Sequence, residues 1–324
     1  MNVRVLAAAL LLALTACDLA GVPARIAYSR GRRELDAGDY EAAVQSFTSA
    51  LQMDPNLAVA YNDRGLAQFY LGRYEAALPD LDSAIHKQPR LWAAYNNRGM
   101  VHDHLGELKQ ALADYNEALR LNPGDPIALS NRGLSLYHFG DDDRAIADFD
   151  AALEARPEYA EAYNNRGMVK LRQSKLDDAV ADFRTALVHS PRLREPHVNM
   201  SNAFDLKGQY DSALVHGHLG VETGGGSATA HNNLGMAFQH LHQYDSALVS
   251  FDSALGRNPR LVVALSNRGI LRLQLGRIAE GRKDLEAVIT IGTDGDLAAD
   301  ARKRLRTLSS VRERPPRHLP VPPH

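Results

Sequence analysis

A small residue recurs every 34 positions along most of the chain. The phrase AYNNRGM occurs at residues 94–100 and again at 162–168, and looser versions mark the same register elsewhere. The small residue of this phrase, called the marker below, is Gly31, Gly65, Gly99, Gly133, Gly167, Ser201, Gly235 and Gly269. A fixed period of this length predicts an array of helix-turn-helix repeats, in which each repeat buries its apolar face against its neighbours.

Other residue types keep the same period. The position twelve residues after the marker is alanine in seven repeats, the position nineteen after it is alanine in six, and a proline follows at Pro55, Pro89, Pro123, Pro157, Pro191 and Pro259. Glycine inside a helix costs about 1 kcal/mol relative to alanine, so we expect a common gain from close approach of the two helices. The prolines are expected to end the second helices. Tight turns between the helices are expected at Gly38, Gly72, Gly106, Gly140 and Gly276.

This pattern resembles the tetratricopeptide repeat (TPR) family over Ala24–Gly295. The resemblance implies an all-α, right-handed solenoid of eight repeats that binds a protein or peptide in a concave groove. The repeats span 24–57, 58–91, 92–125, 126–159, 160–193, 194–227 (degenerate), 228–261 and 262–295. We expect a capping helix at Asp296–Leu308, with Leu297, Ala301, Leu305 and Leu308 on its apolar side, and a disordered proline-rich tail at 309–324.

The N-terminus has a different pattern. Residues 5–14 form an apolar run that is too short for a comfortable membrane span and is typical of a secretory signal. The run ends in Leu14-Thr15-Ala16-Cys17, which resembles the bacterial lipobox. That resemblance implies cleavage after residue 16, lipid on Cys17, a short tether at 17–23 and anchoring to the bacterial cell envelope, on the periplasmic side if Gram-negative. An ordinary signal peptide or an uncleaved anchor is the alternative, and the choice between inner and outer membrane stays open.

Two recurring polar positions precede the marker. The residue two places before it is Asp63, Asn97, Asn131, Asn165, Asn199, Asn233 and Asn267. Asparagine is a poor helix former, so its recurrence is informative. In TPR proteins this register faces the groove, where a carboxamide can both donate to and accept from a peptide backbone. Hydrogen bonds within or between repeats are the alternative.

The residue directly before the marker is an arginine in six repeats, and an aspartate stands sixteen residues later in five of these. Repeats six and seven lack both, which suggests an ion pair between the two helices of a repeat. The predicted pairs are Arg64–Asp80, Arg98–Asp114, Arg132–Asp148, Arg166–Asp182 and Arg268–Asp284. A basic groove for acidic ligands is the alternative. The residue after the marker is Leu66, Met100, Leu134, Met168, Met236 or Ile270, and it belongs either to the floor of the groove or to the core.

Several function classes lack support in the sequence. The formal net charge is −2 and no basic stripe is interleaved with aromatic residues, so nucleic acid is not an expected partner. Catalytic, phosphate-binding and dinucleotide motifs are absent, and histidines two apart do not match metal-ligand spacing. We therefore expect no catalytic residue, metal or cofactor, and a non-enzymatic scaffold for protein partners. A self-associating organiser of an envelope assembly is the main alternative, and a catalytic pocket in repeat six is a weaker one.

Repeat six departs from the consensus in its second helix. Gly217 stands where other repeats have an aromatic residue or leucine, and Gly220 stands where most have alanine. Two helical glycines weaken the helix by about 1 kcal/mol each. We therefore expect either a local hinge over residues 215–227 or a gap beside Gly217 that a partner's side chain fills.

Overall fold

The computed structural model describes residues 22–223, 226–292 and 295–312, with side chains to residue 308. The predicted signal peptide, Cys17, most of the tether and the tail from residue 313 lie outside these ranges. The described residues form seventeen helices. The first helices of the repeats are α1 (Val22–Asp36), α3 (Ala58–Tyr70), α5 (Trp92–His104), α7 (Pro126–Phe139), α9 (Ala160–Arg172), α11 (Glu195–Leu206), α13 (Ala228–His240) and α15 (Val262–Gln274). The second helices are α2 (Tyr40–Met53), α4 (Tyr74–Lys87), α6 (Leu108–Leu121), α8 (Asp142–Ala155), α10 (Leu176–His189), α12 (Tyr210–Glu222), α14 (Tyr244–Arg257) and α16 (Ile278–Ile291), and α17 (Asp296–Arg312) follows.

The chain divides into two compact units, the first ending at Val169 and the second beginning at Lys170. Within each unit, the first helix of a repeat packs against its own second helix, and that second helix packs against the first helix of the next repeat. First helices of adjacent repeats also contact each other, for example α5 with α7 and α13 with α15. The first helices of a unit therefore lie side by side and share one surface, called the first-helix face below.

The marker glycines allow close packing inside each repeat, as the sequence predicts. A Cβ added to Gly99 would lie 2.7 Å from Tyr115, and one added to Gly235 would lie 2.6 Å from Phe251. Both aromatic residues are fully buried and stand sixteen residues after the marker. The first helix thus has no side chain at this position, and a large side chain from the second helix fills the space.

The turns between the two helices follow the predicted glycine register. Gly38, Gly72, Gly106, Gly140 and Gly276 have positive φ, and Gly208, which the sequence analysis did not include, joins them with φ 71°. In the two remaining repeats the same position is Ser174 (φ 60°) and His242 (φ 59°). These two residues adopt a left-handed conformation that carries a steric cost for any side chain.

Ser174→Gly is expected to stabilise the second unit by about 1 kcal/mol, because glycine removes the Cβ from a left-handed position. Urea unfolding of the full chain measures this as a higher midpoint. The reverse exchange, Gly140→Ser, is the matched control and should lower the midpoint by a similar amount. An unchanged midpoint for both variants would show that the left-handed turn carries no strain.

The two ends of the array differ from the sequence expectations. Helix α1 begins at Val22, so it includes the last two residues of the predicted tether. Helix α17 runs to Arg312 rather than ending at Leu308. Leu297 is 37 % exposed, whereas Ala298 and Ala301 are buried. Placing Leu297 on the packed side was therefore wrong, because the neighbouring Ala298, three residues before Ala301 on the same helix face, is the residue that packs there.

Repeat six is packed rather than gapped. Its marker, Ser201, donates a buried hydrogen bond to the Ala213 carbonyl at 2.9 Å. A Cβ added to Gly217 would lie 3.1 Å from Leu234 and 3.2 Å from the Ser201 hydroxyl. The expected gap beside Gly217 is therefore wrong, since a larger marker and the leucine of the next repeat occupy that space. Faster amide exchange over residues 215–227 stays a prediction.

Candidate functional site

Four arginines form two-pronged ion pairs with the aspartate sixteen residues later. Arg98 donates from Nε and Nη2 to the two Asp114 oxygens at 2.8 and 2.6 Å. Equivalent pairs of bonds join Arg64 to Asp80, Arg132 to Asp148 and Arg268 to Asp284. All four aspartates are buried. The hydrogen bonds that Arg98 donates to Asp114 raise the pKa of Arg98 above its usual range. Such planar, charge-assisted pairs are the strong class of protein hydrogen bonds.

The sequence analysis missed a further bond, which these four arginines and Arg166 all make. Nη1 of each arginine reaches a side chain sixteen residues earlier, on the second helix of the preceding repeat. The acceptors are Thr48 for Arg64, Asp82 for Arg98, Asn116 for Arg132, Asp150 for Arg166 and Asp252 for Arg268. Each of the five arginines therefore also joins neighbouring repeats. In the second unit, Asp182 accepts from Lys170 Nζ at 2.7 Å.

Repeat six replaces this charged pair with uncharged groups. Met200 occupies the arginine register and is fully buried. His216 occupies the aspartate register, stacks on Phe204 and lies against His197, with their Nδ1 atoms 3.1 Å apart. Burial, His197 and Arg184 lower the pKa of His216 to about 4. His216 is therefore uncharged at neutral pH. Because repeat six lacks both the arginine and the aspartate, neither of these two positions holds an unpaired buried charge.

In the first unit, the asparagine register is connected by amide-to-amide hydrogen bonds. Asn131 Nδ2 donates to Asn96 Oδ1 at 3.0 Å, and Asn97 Nδ2 donates to Asn62 Oδ1 at 2.9 Å. Within a repeat, Asn96 donates to Asn97 at 3.3 Å and Asn62 donates to Asp63 at 2.8 Å. The bonds run in one direction and end on a carboxylate, which can only accept. Asp63 also accepts from the Tyr28 hydroxyl at 2.8 Å.

The second unit contains the same arrangement with a different end. Asn267 donates to Asn232 at 3.0 Å, and Asn232 donates to Asn233 at 3.3 Å. Asn233 donates to the Val198 carbonyl at 3.2 Å, because repeat six has no asparagine at the register of Asn232. In α9, Asn165 accepts from Asn164 at 3.3 Å, and Asn199 occupies the same register in α11.

The asparagine register therefore carries bonds between repeats, which was the alternative left open by the sequence. Asp63 and Asn97 are buried. Asn131, Asn165, Asn199, Asn233 and Asn267 are partly exposed. Only the partly exposed members can also contact a ligand.

A pocket of about 310 Å³ opens on the first-helix face of the first unit. Its lining comes from α5 (Met100, Asp103, His104), α6 (Tyr115) and α7 (Asn131, Leu134, His138). Met100 and Leu134 belong to the register directly after the marker, which in these two repeats lines the face. Asn131 belongs to both the pocket and the asparagine register.

Asp103 is the carboxylate of this pocket, and the sequence analysis did not single it out. Its Oδ2 accepts from the Tyr115 hydroxyl at 2.9 Å and from the Ser135 hydroxyl at 2.5 Å. Its Oδ1 is covered and has no hydrogen-bond partner. Burial raises the pKa of Asp103, against the opposing effect of the two hydroxyls and of His138 and His104. The pocket thus holds a carboxylate whose charge is poorly compensated.

Within residues 22–223, 226–292 and 295–312, no three histidine, cysteine, aspartate or glutamate side chains come together as a metal site. None of the helices there has the length and apolar character needed to cross a membrane.

The helix pairs and their periodic packing define a helical repeat protein. Models of the tetratricopeptide repeat match residues 62–126, 105–160 and 130–193, and a TPR repeat model matches 31–72. The chain belongs to the tetratricopeptide repeat family. Members of this family are generally scaffolds for protein–protein interaction, and the fold is typically non-catalytic. No curated protein matches the sequence.

Solved structures with the same fold come from distant proteins. A chain of the APC/C hetero-tetramer Cut9–Hcn1 superposes with a TM-score of 0.70 at 15 % identity over 82 % of this chain, which spans 52 % of that one. A tetratricopeptide repeat protein from Parabacteroides merdae superposes with a TM-score of 0.60 at 20 % identity. The match covers 77 % of this chain and 98 % of the Parabacteroides chain. Pseudomonas aeruginosa pilF superposes with a TM-score of 0.56 at 22 % identity, and the match covers 64 % of this chain and 94 % of pilF. At these identities the similarity establishes the fold alone.

Proposed function

We propose that this protein is a non-enzymatic adaptor that holds an extended segment of a partner protein against its first-helix face. The supporting observation is the combination found there: partly exposed asparagine amides at a constant register, next to a pocket with apolar walls. Amides can bond a peptide backbone whatever its sequence, and Met100 and Leu134 offer adaptable apolar contact.

The basic groove for acidic ligands has less support. The guanidinium groups of Arg64, Arg98, Arg132 and Arg268 each bond to side chains of two helices. Binding a ligand carboxylate would require breaking these bonds and leaving a buried aspartate unpaired. The arginines therefore contribute to the stability of the array rather than to a binding charge.

The test uses the partly exposed asparagines. Peptides that bind the full chain are first selected from a random decapeptide library. Changing Asn131, Asn165 and Asn199 together to alanine should weaken their binding by at least about tenfold, since each lost neutral hydrogen bond is worth about 0.5–1.5 kcal/mol. Circular dichroism checks that helical content is retained. A folded triple variant that binds with unchanged affinity would contradict peptide binding by this register.

We further propose that the adaptor works at the bacterial envelope, held by lipid on Cys17. The support is the sequence Leu14–Cys17 and the absence of any other cysteine. Cys17→Ser should abolish incorporation of a labelled fatty acid in a bacterial host, because the thiol is the acylated group. Unchanged labelling of the variant would rule out the lipobox.

A further inference from the structure

The eight repeats provide an internal comparison for the position four residues after the marker. Six repeats have Leu35, Phe69, Tyr137, Leu171, Gln239 or Leu273 there, whereas repeats three and six have Asp103 and Asp205. The fold therefore does not require an acid at this position. A covered carboxylate without full hydrogen bonding costs stability, so a binding role is the better account of it.

Asp103 is oriented but not neutralised. The Tyr115 and Ser135 hydroxyls both bond to Oδ2, which fixes the plane of the carboxylate. Oδ1 has no partner, and no lysine or arginine acts on this group among the described residues. The histidines that act on Asp103 are His104 and His138, and neither makes a hydrogen bond to Oδ1.

The walls of the pocket suit a long side chain with a charged end. Met100 and Leu134 supply apolar contact for a methylene stem, as lysine and arginine stems prefer. Asn131 offers an amide to the backbone of the same segment. Because Oδ1 is covered, a ligand must shift a side chain of the pocket lining, in which His104 and His138 are the exposed members.

We propose that this pocket binds a lysine or arginine side chain of the partner segment, with its cation on the Asp103 carboxylate and its stem between Met100 and Leu134. The inference rests on the proposed function, because it names the residue chemistry that the first-helix face selects. A cation would supply the charge compensation that Asp103 lacks, and a desolvated charge-assisted bond is strong.

Asp205 is a partial second copy of this arrangement in the other unit. Its Oδ1 also lacks a hydrogen-bond partner. His240 Nε2 lies 3.6 Å from Asp205 Oδ2, and the His240 ring stacks on Tyr210. The ring of His240 therefore already lies beside the Asp205 carboxylate, where a ligand's cation would have to bind, and Asp103 is the stronger candidate.

The peptide selection against the full chain tests this inference directly. Selected binders should share one lysine or arginine. Replacing that residue by norleucine, which keeps the stem and removes the cation, should weaken binding to the unaltered chain by at least about tenfold. This comparison needs no protein variant. Asp103→Asn should weaken binding of the basic peptide by a similar factor, and the norleucine peptide should not discriminate between the two proteins.

Asp143→Asn is the matched control, because it removes one exposed negative charge from α8 away from the pocket. It should change affinity by less than about twofold, as expected for a screened surface charge. Binders without a shared basic residue, or equal affinity of the lysine and norleucine peptides, would overturn the inference and leave the proposed function standing. Failure to select any peptide would overturn both.

Discussion

Asp148→Ala is expected to lower the free energy of unfolding of the first unit by about 3 kcal/mol, because it leaves a guanidinium without its buried counter-charge. Arg132 donates two bonds to Asp148, both at 2.7 Å, and its third bond goes to the neutral Asn116 at 2.8 Å. The arginine side chain is only 22 % exposed. Urea unfolding gives the size of the effect, and amide hydrogen exchange of α7 and α8 locates it.

Asp114→Ala provides the matched comparison. Its arginine, Arg98, keeps a second carboxylate at 2.6 Å in Asp82, so the loss should be smaller than for Asp148→Ala. In a double-mutant cycle, the variant with both Arg132→Ala and Asp148→Ala should lose less stability than the sum of the losses of the two single variants. Strict additivity would show that these two side chains do not stabilise each other.

Gly235→Leu is expected to destabilise the second unit by about 3 kcal/mol, because overpacking forces a buried side chain out of place. The first added carbon already lies 2.6 Å from Phe251, which is fully buried in the core around α13 and α14. The unfolding midpoint in urea measures the loss.

Gly256→Leu is the control for helix propensity, since nothing lies within 4 Å of a Cβ added there. That change should be neutral or stabilising, because leucine favours a helix more than glycine does. Equal destabilisation by both leucines would mean that the contact with Phe251 is not the reason for the recurring glycine.

The fold was predictable because its constraints recur in each repeat. A glycine that must accept the ring of Phe251 or Tyr115 has to stand at a fixed distance from it, so the requirement is visible in the sequence as a period. The pairing of arginine with aspartate sixteen residues later was visible for the same reason. Ala298 was missed because the capping helix occurs once and offers no repeat against which to check its register.

The candidate site was less predictable, because its partners vary in residue type. The side chain that accepts the Nη1 bond of each arginine is Thr48, Asp82 or Asn116, so no single residue type identifies this position in the sequence. The partner of each asparagine amide depends on how neighbouring repeats meet, which is a tertiary property. Asp103 is a departure from the pattern of its register, and its importance depends on an uncompensated oxygen that only coordinates reveal.

A partner segment on the first-helix face should change the surroundings of the side chains that line it. The most direct measurement is the NMR spectrum of the chain labelled with ¹³C in its methionine methyl groups, recorded while a selected peptide is added. Met100 lines the pocket on that face, whereas Met53 ends a second helix and is 54 % exposed. If the segment lies there, the Met100 signal shifts with peptide concentration while the Met53 signal stays in place. A shift of the Met53 signal with an unchanged Met100 signal would contradict binding on the first-helix face.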